Sequence, residues 1–115
     1  MGTNVAALDI LFAALADPTR RAIVERLLTA GELTAGEVAA PFDITTPAIS
    51  RHLRVLEHAG LIERRTERQW RYLRVKEGAL APVESWVSRQ RRYWNAALDR
   101  LEAVASANTA KRRKS

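Results

Sequence analysis

The chain has 115 residues, 47% of them hydrophobic, and a formal charge of +6, which suits one domain around one modest core. It has no cysteine, which excludes disulfides, thiolate metal sites, cysteine nucleophiles and thiol redox sensing. No apolar run approaches the ~20 residues that span a bilayer, and MGTNVAALDI lacks the basic start and apolar stretch of a signal peptide, so a cytoplasmic location without a membrane partner is expected.

In chain order, Val5, Leu8, Leu11, Phe12 and Leu15 recur at three- and four-residue steps and predict a first helix over Asn4–Ala16. Asp17-Pro18 supplies an N-cap and a first-turn proline. A second helix is therefore predicted from Pro18 to Ala30, burying Ile23, Val24, Leu27 and Leu28 and ending at Gly31. Thr34-Ala-Gly-Glu37 has capping-box spacing and opens a short third helix to about Ala40.

After the loop at Pro41 and Asp43, Thr46-Pro47 starts a fourth helix that Gly60 stops. Ile49, Leu53 and Leu56 form its core stripe. Pro47, Ser50, Arg51, Arg54 and His58 lie opposite. Ile62–Arg65 and Gln69–Val75 are strand-like, with Thr66-Glu67-Arg68 as the tip of a short basic hairpin. Trp70 and Tyr72 are expected to pack that hairpin onto the core.

From Ala79 to about Ala105 a long helix is predicted, about 40 Å at 1.5 Å per residue. Its apolar stripe includes Val87, Trp94, Leu98 and Leu101. So long a helix exceeds what a small core covers, so it offers a dimer interface together with Leu8, Leu11 and Phe12 of the first helix; the alternative is a helix folded back on its own domain. The domain is thus expected over 1–105, with 106–115, NTAKRRKS and its two preceding residues, as a disordered basic tail.

Charge is unevenly spread. Residues 61–78 carry Arg64, Arg65, Arg68, Arg71, Arg74 and Lys76 against three glutamates, and the tail adds four unopposed basic residues. This suits a polyanion partner. Helices two to four followed by a hairpin is the element order of a winged helix-turn-helix: a mainly α fold with a small β-hairpin wing. Thr45, Thr46 and Ser50 would let the backbone approach double-stranded DNA, with Arg51 and Arg54 reaching bases or phosphates. On the wing, Arg65 and Arg68 at the tip and Arg71 beside them would neutralise phosphates or enter the minor groove. The competing reading is a winged helix used for protein interaction, with only non-specific nucleic-acid affinity. An enzyme fails on inventory, since neither a phosphate loop nor a catalytic histidine–carboxylate set is present.

The runs ALADPTRRAIVERL, TTPAISRHLRVLEHAGLIERR and WVSRQRRYWNAALDRLE together resemble the ArsR-type family of winged-helix transcriptional regulators, across nearly the whole chain. The resemblance implies a homodimer through the first and last helices, a recognition helix in the major groove, wings over adjacent minor grooves, and repression relieved by an inducer. Thr46, Pro47, Ser50 and Arg51 fall where family members touch DNA. The chain also departs from the family. ELTAGEVAAPF lacks the cysteines of the family's third-helix metal box, and the last helix offers Asp99 and Glu102 but no histidine. His52 and His58 lie about 120° apart on their helix and make no chelating pair. No metal or cofactor is therefore expected, and an inducer would be an unidentified small molecule, with Trp86, Tyr93 and Trp94 of the last helix as one place to seat it. The wing tip has Glu67 where the family commonly has glycine.

Overall fold

The computed structural model describes residues 2–114, and side chains from 6 to 112. Its elements are α1 (Gly2–Leu15), α2 (Pro18–Ala30), β1 (Leu33–Thr34), α3 (Ala35–Ala39), α4 (Thr46–His58), β2 (Ile62–Glu67), β3 (Trp70–Val75) and α5 (Ala81–Lys114). They form two compact units, one reaching Pro82 and one beginning at Val83.

In the first unit, local signals fix the helix ends. The Asp17 carboxylate accepts from the Arg20 amide at 3.0 Å, with Pro18 opening α2. Arg20 and Arg21 then turn back on α1: Arg20 Nε donates to the Ala14 carbonyl at 2.6 Å, and Arg21 donates to the Leu15 carbonyl at 2.7 Å. Two side chains of one helix thus satisfy the orphan carbonyls of the helix before it. At the end of α4, Gly60 adopts φ 76°, the Leu61 amide reaches the Leu56 carbonyl, and the Gly60 amide reaches that of Glu57. That is a Schellman motif, which needs the left-handed conformation that glycine adopts without a Cβ penalty.

Thr34 has two tasks. It pairs with Tyr72 in the sheet, and it caps α3 through a complete capping box with Glu37. The sequence pointed to the cap but not to the strand, so the expected two-stranded hairpin is instead a three-stranded antiparallel sheet in the order β1-β3-β2. The hairpin turn is Arg68-Gln69, with Glu67 opposite Trp70. Arg65 therefore lies within β2 rather than at the tip.

The core draws on every element of this unit except β1: Leu11 and Ala14 of α1, Ile23, Val24 and Leu27 of α2, Val38 of α3, Ile49, Leu53 and Leu56 of α4, then Leu61, Ile62 and Leu73. No polar or charged residue is buried among the described residues. Three expectations change. Leu28 stands 54% exposed, on the face of α2 that turns away from Leu27. Trp70 is 53% exposed, because neighbouring strand positions alternate in direction and the register gives the inward place to Leu73. Leu11, expected at a dimer interface, is a core residue at 3% exposure.

Helix α5, which makes up the second unit from Val83 onward, is continuous for 34 residues, about 51 Å. It includes residues 106–114, which the charge run had suggested as a disordered tail. Beyond Pro82 there is neither glycine nor proline to stop it. Alanines at 103, 105, 107 and 110 favour it, and the terminal basic run complements the helix dipole. Val87, Trp94, Leu98 and Leu101 are exposed along its length. The expected contribution of Val5 to the face of α1, and the last tail residue, Ser115, lie outside the described residues.

Candidate nucleic-acid interface

The exposed face of α4 is fixed by its buried one. With Ile49, Leu53 and Leu56 turned into the core, Thr46, Pro47, Arg51 and Arg54 face solvent and Ser50 is half-buried beside them. Thr45 caps the helix by accepting from the Ala48 amide at 3.3 Å, and Pro47 has no N–H. Of the first-turn amides only that of Thr46 is left without an acceptor among the described residues, so the helix terminus offers a phosphate one donor rather than several. His52, half-buried on the flank of α4, has Nδ1 3.8 Å from the Asp17 carboxylate. That contact ties α4 to the start of α2. The Asp17 carboxyl is held below its ordinary pKa, chiefly by the Arg20 amide and in smaller part by His52.

On the wing, register separates two kinds of arginine. One face carries the cross-strand pairs Glu63–Arg74, Arg65–Tyr72 and Glu67–Trp70. There Arg74 donates to Glu63 at 2.8 Å, and Arg65 is held by Glu32 at 2.6 Å and Glu67 at 2.8 Å. The Arg65 guanidinium also lies 4.6 Å from the centre of the Tyr72 ring. Arg64 pairs with Glu57 of α4 at 2.6 Å. Arg68 at the turn and Arg71 opposite Thr66 are exposed, and neither forms an ion pair among the described residues.

The basic residues thus divide by available charge. Arg51 and Arg54 on α4, and Arg68 and Arg71 on the wing, are exposed without carboxylate partners, whereas Arg64, Arg65 and Arg74 already have one or two. Arg65, expected at a phosphate, is paired with Glu32 and Glu67 and braces the sheet. Trp70, assigned to the core from its size, stands exposed next to the turn arginine. Leu73, three residues on and therefore on the opposite face of β3, was the signal that could have placed it.

No group of three or more His, Asp or Glu side chains suited to a metal occurs among the described residues. Among the described residues no helix is long and apolar enough to cross a membrane.

Comparison with known proteins gives a consistent result. A helix-turn-helix domain family matches residues 15–65. The transcriptional repressor SdpR of Bacillus subtilis (strain 168) is 38% identical over 77 residues, 67% of this chain and 84% of SdpR. A crystal structure of an ArsR family transcriptional regulator, RHA00566, is 36% identical with a TM-score of 0.70, covering 78% of this chain and 92% of that one. An ArsR-like transcriptional regulator from Rhodococcus sp. RHA1 is 28% identical with a TM-score of 0.73, covering 91% of this chain and 97% of that one.

Proposed function

Because the chain belongs to the ArsR family of winged helix-turn-helix, DNA-binding transcriptional regulators, we propose that it works as a homodimeric repressor on a palindromic operator. In this reading α4 enters the major groove, with Thr45, Thr46 and Pro47 close to the backbone and Ser50, Arg51 and Arg54 along its exposed face. Arg68 and Arg71 meet phosphates beside it, and Trp70 rides over the same backbone. The observation that carries the proposal is the division of charge within α4 and the wing: Arg51, Arg54, Arg68 and Arg71 are exposed there without carboxylate partners, where a duplex would be met.

The homodimer reading rests on α5. Trp94 and Leu101 are 63% and 65% exposed, and with Val87 and Leu98 they recur at seven-, four- and three-residue steps. An apolar stripe of that length on one helix is unfavourable in water, and a second copy of the same stripe covers it with heptad-like packing. Leu8 and Phe12 of α1 join this interface; Leu11, being buried, does not. A two-fold dimer reads two half-sites about one helical turn apart, hence the palindrome.

A fluorescence-anisotropy titration tests the proposal, with DNA from upstream of the protein's own gene against a scrambled duplex at two salt concentrations. A promoter preference of about a hundredfold that survives the higher salt is the expected result. Equal and steeply salt-sensitive binding to both duplexes would sink the specific-repressor reading in favour of a protein-interaction module with general nucleic-acid affinity.

A further inference from the structure

Between α1 and α4 lies an open groove of about 720 Å³. Its floor is apolar: Ile10, Ala13 and Ala14 from α1, and Val55 and Ala59 from the end of α4. Its rim is basic: Arg20, Arg51, Arg54 and His58, with no carboxylate among the lining residues. Ile10 and Val55 remain 52% and 40% exposed, so nothing among the described residues fills the space.

The size falls within the range of small-molecule sites, and the lining has the usual composition of one, mostly apolar with a few convergent polar groups. Charge narrows the occupant further. A second copy of this chain, at +6 overall, would bring more positive charge to a rim that already carries three arginines. Arg20 is already engaged by the carbonyls of Ala13 and Ala14, but a neutral hydrocarbon would leave Arg51 and Arg54 unanswered, whereas a carboxylate accepts two parallel N–H bonds from a guanidinium.

We propose that this groove binds an amphiphilic small-molecule anion, its chain on the floor formed by Ile10, Ala13 and Val55 and its carboxylate held by Arg51 and Arg54. The proposal deepens the repressor reading, on which its regulatory half rests: the two arginines that hold the anion are those assigned to DNA, so anion and duplex exclude one another. Such a ligand acts as an inducer by direct competition at the recognition helix. No movement needs to be transmitted between distant sites, since the differential affinity arises at shared atoms. The site differs from the aromatic face of the last helix suggested by the sequence.

Octanoate and 1-octanol, equal in chain length and different in charge, are the probes, titrated calorimetrically into the full-length protein without DNA. Octanoate is expected to bind about tenfold or more tightly than octanol. Ala13→Trp, which fills the groove from an exposed helix position, and Val55→Glu, which sets a carboxylate in it, are each expected to weaken octanoate about tenfold while melting as cooperatively as the parent. If one variant fails to fold, the other decides. Equal affinity for the two probes, or unchanged octanoate binding in a folded variant, overturns the site. Octanoate is then added to the protein–duplex complex followed by anisotropy. Release of the duplex in the parent but not in Ala13→Trp supports competition; a ternary complex overturns it. Because the calorimetric arm contains no DNA, failure of the operator reading and failure of the groove are separately visible.

Discussion

Arg65 reaches Glu32 at 2.6 Å from the far side of the sheet. The two residues flank β3 rather than face each other: Arg65 sits on β2, Glu32 just before β1, and the guanidinium crosses above Tyr72 of the intervening strand. Glu67 closes the other side. The Glu32 and Glu67 hydrogen bonds push the Arg65 pKa further above an already high value, while Arg65 lowers that of Glu32. These are the signs of a clamp, and they separate Arg65 from the arginines that await a partner.

Arg65→Gln is therefore expected to lower the melting temperature and leave the salt dependence of DNA binding nearly unchanged. Arg71→Gln should do the reverse, weakening all sequences alike and reducing the slope of log affinity against log salt by about one per protomer. Titrations over a series of salt concentrations, beside thermal melts of both variants, check the pair. Equal loss of slope in both would return Arg65 to the phosphate contacts.

The turn residue Arg68 adopts φ 57°, which L side chains tolerate poorly, and Gln69 is not in that region. This is the φ pattern of a type II′ hairpin turn, whose first central position favours glycine. Glycine at the neighbouring Glu67 would not relieve it. Arg68→Gly is expected to exceed Arg68→Ala in stability by about 1 kcal/mol, seen as a melt several degrees higher. The two variants should bind DNA equally weakly, since both lack the charge. A more stable alanine variant would mean that the turn is not strained.

Leu11 and Leu101 are both leucines on helices proposed for the dimer, and their burial predicts opposite failures. Leu101→Glu places a charge on an exposed stripe and is expected to give a folded monomer in sedimentation equilibrium. Leu11→Ala opens a cavity in the core and should cost about 2–5 kcal/mol of stability with the subunit count unchanged. Dimers persisting in Leu101→Glu and in Trp94→Glu would remove α5 from the interface.

Acid should weaken the fold in a defined window. The carboxyls of Asp17, Glu32 and Glu37 titrate below their ordinary values, held mainly by the Arg20 amide, the Arg65 guanidinium and the Thr34 amide. Groups with depressed folded pKa values stabilise fully above the unfolded values near 4 and lose that contribution as pH falls through the folded ones. The melting temperature is thus expected to hold between about pH 5 and 7 and to drop below about pH 4. Glu37→Gln, which keeps a capping box but cannot titrate, should make the acid limb shallower. An identical limb in that variant would locate the acid sensitivity elsewhere.

What the sequence made legible was whatever its signals encode locally. Asp17-Pro18, the Thr34–Glu37 spacing, Thr46-Pro47 and Gly60 each mark a helix end from within four residues, and α2 and α4 follow from them; that Thr45 is the cap of α4 came from the structure. The stripe of Ile49, Leu53 and Leu56 likewise fixed which face of α4 remained for DNA. Contacts distant in sequence were hidden. Strand β1 is two residues long and exists only because β3 lies beside it. Nothing near Arg65 announces Glu32, 33 positions earlier, and a basic residue in a basic hairpin invites the phosphate reading. The end of α5 was missed for another reason: a charged, alanine-rich run resembles a tail by composition, and only the lack of a stop signal distinguishes it.

Thr34 belongs at once to the sheet and to the helix-turn-helix, with no residue between its pairing to Tyr72 and its capping of α3. The wing is therefore not an interchangeable cassette. A hairpin transplanted here would keep its join to α3 only if Thr34 and Glu37 travelled with it, and its Arg65 clamp only with Glu32.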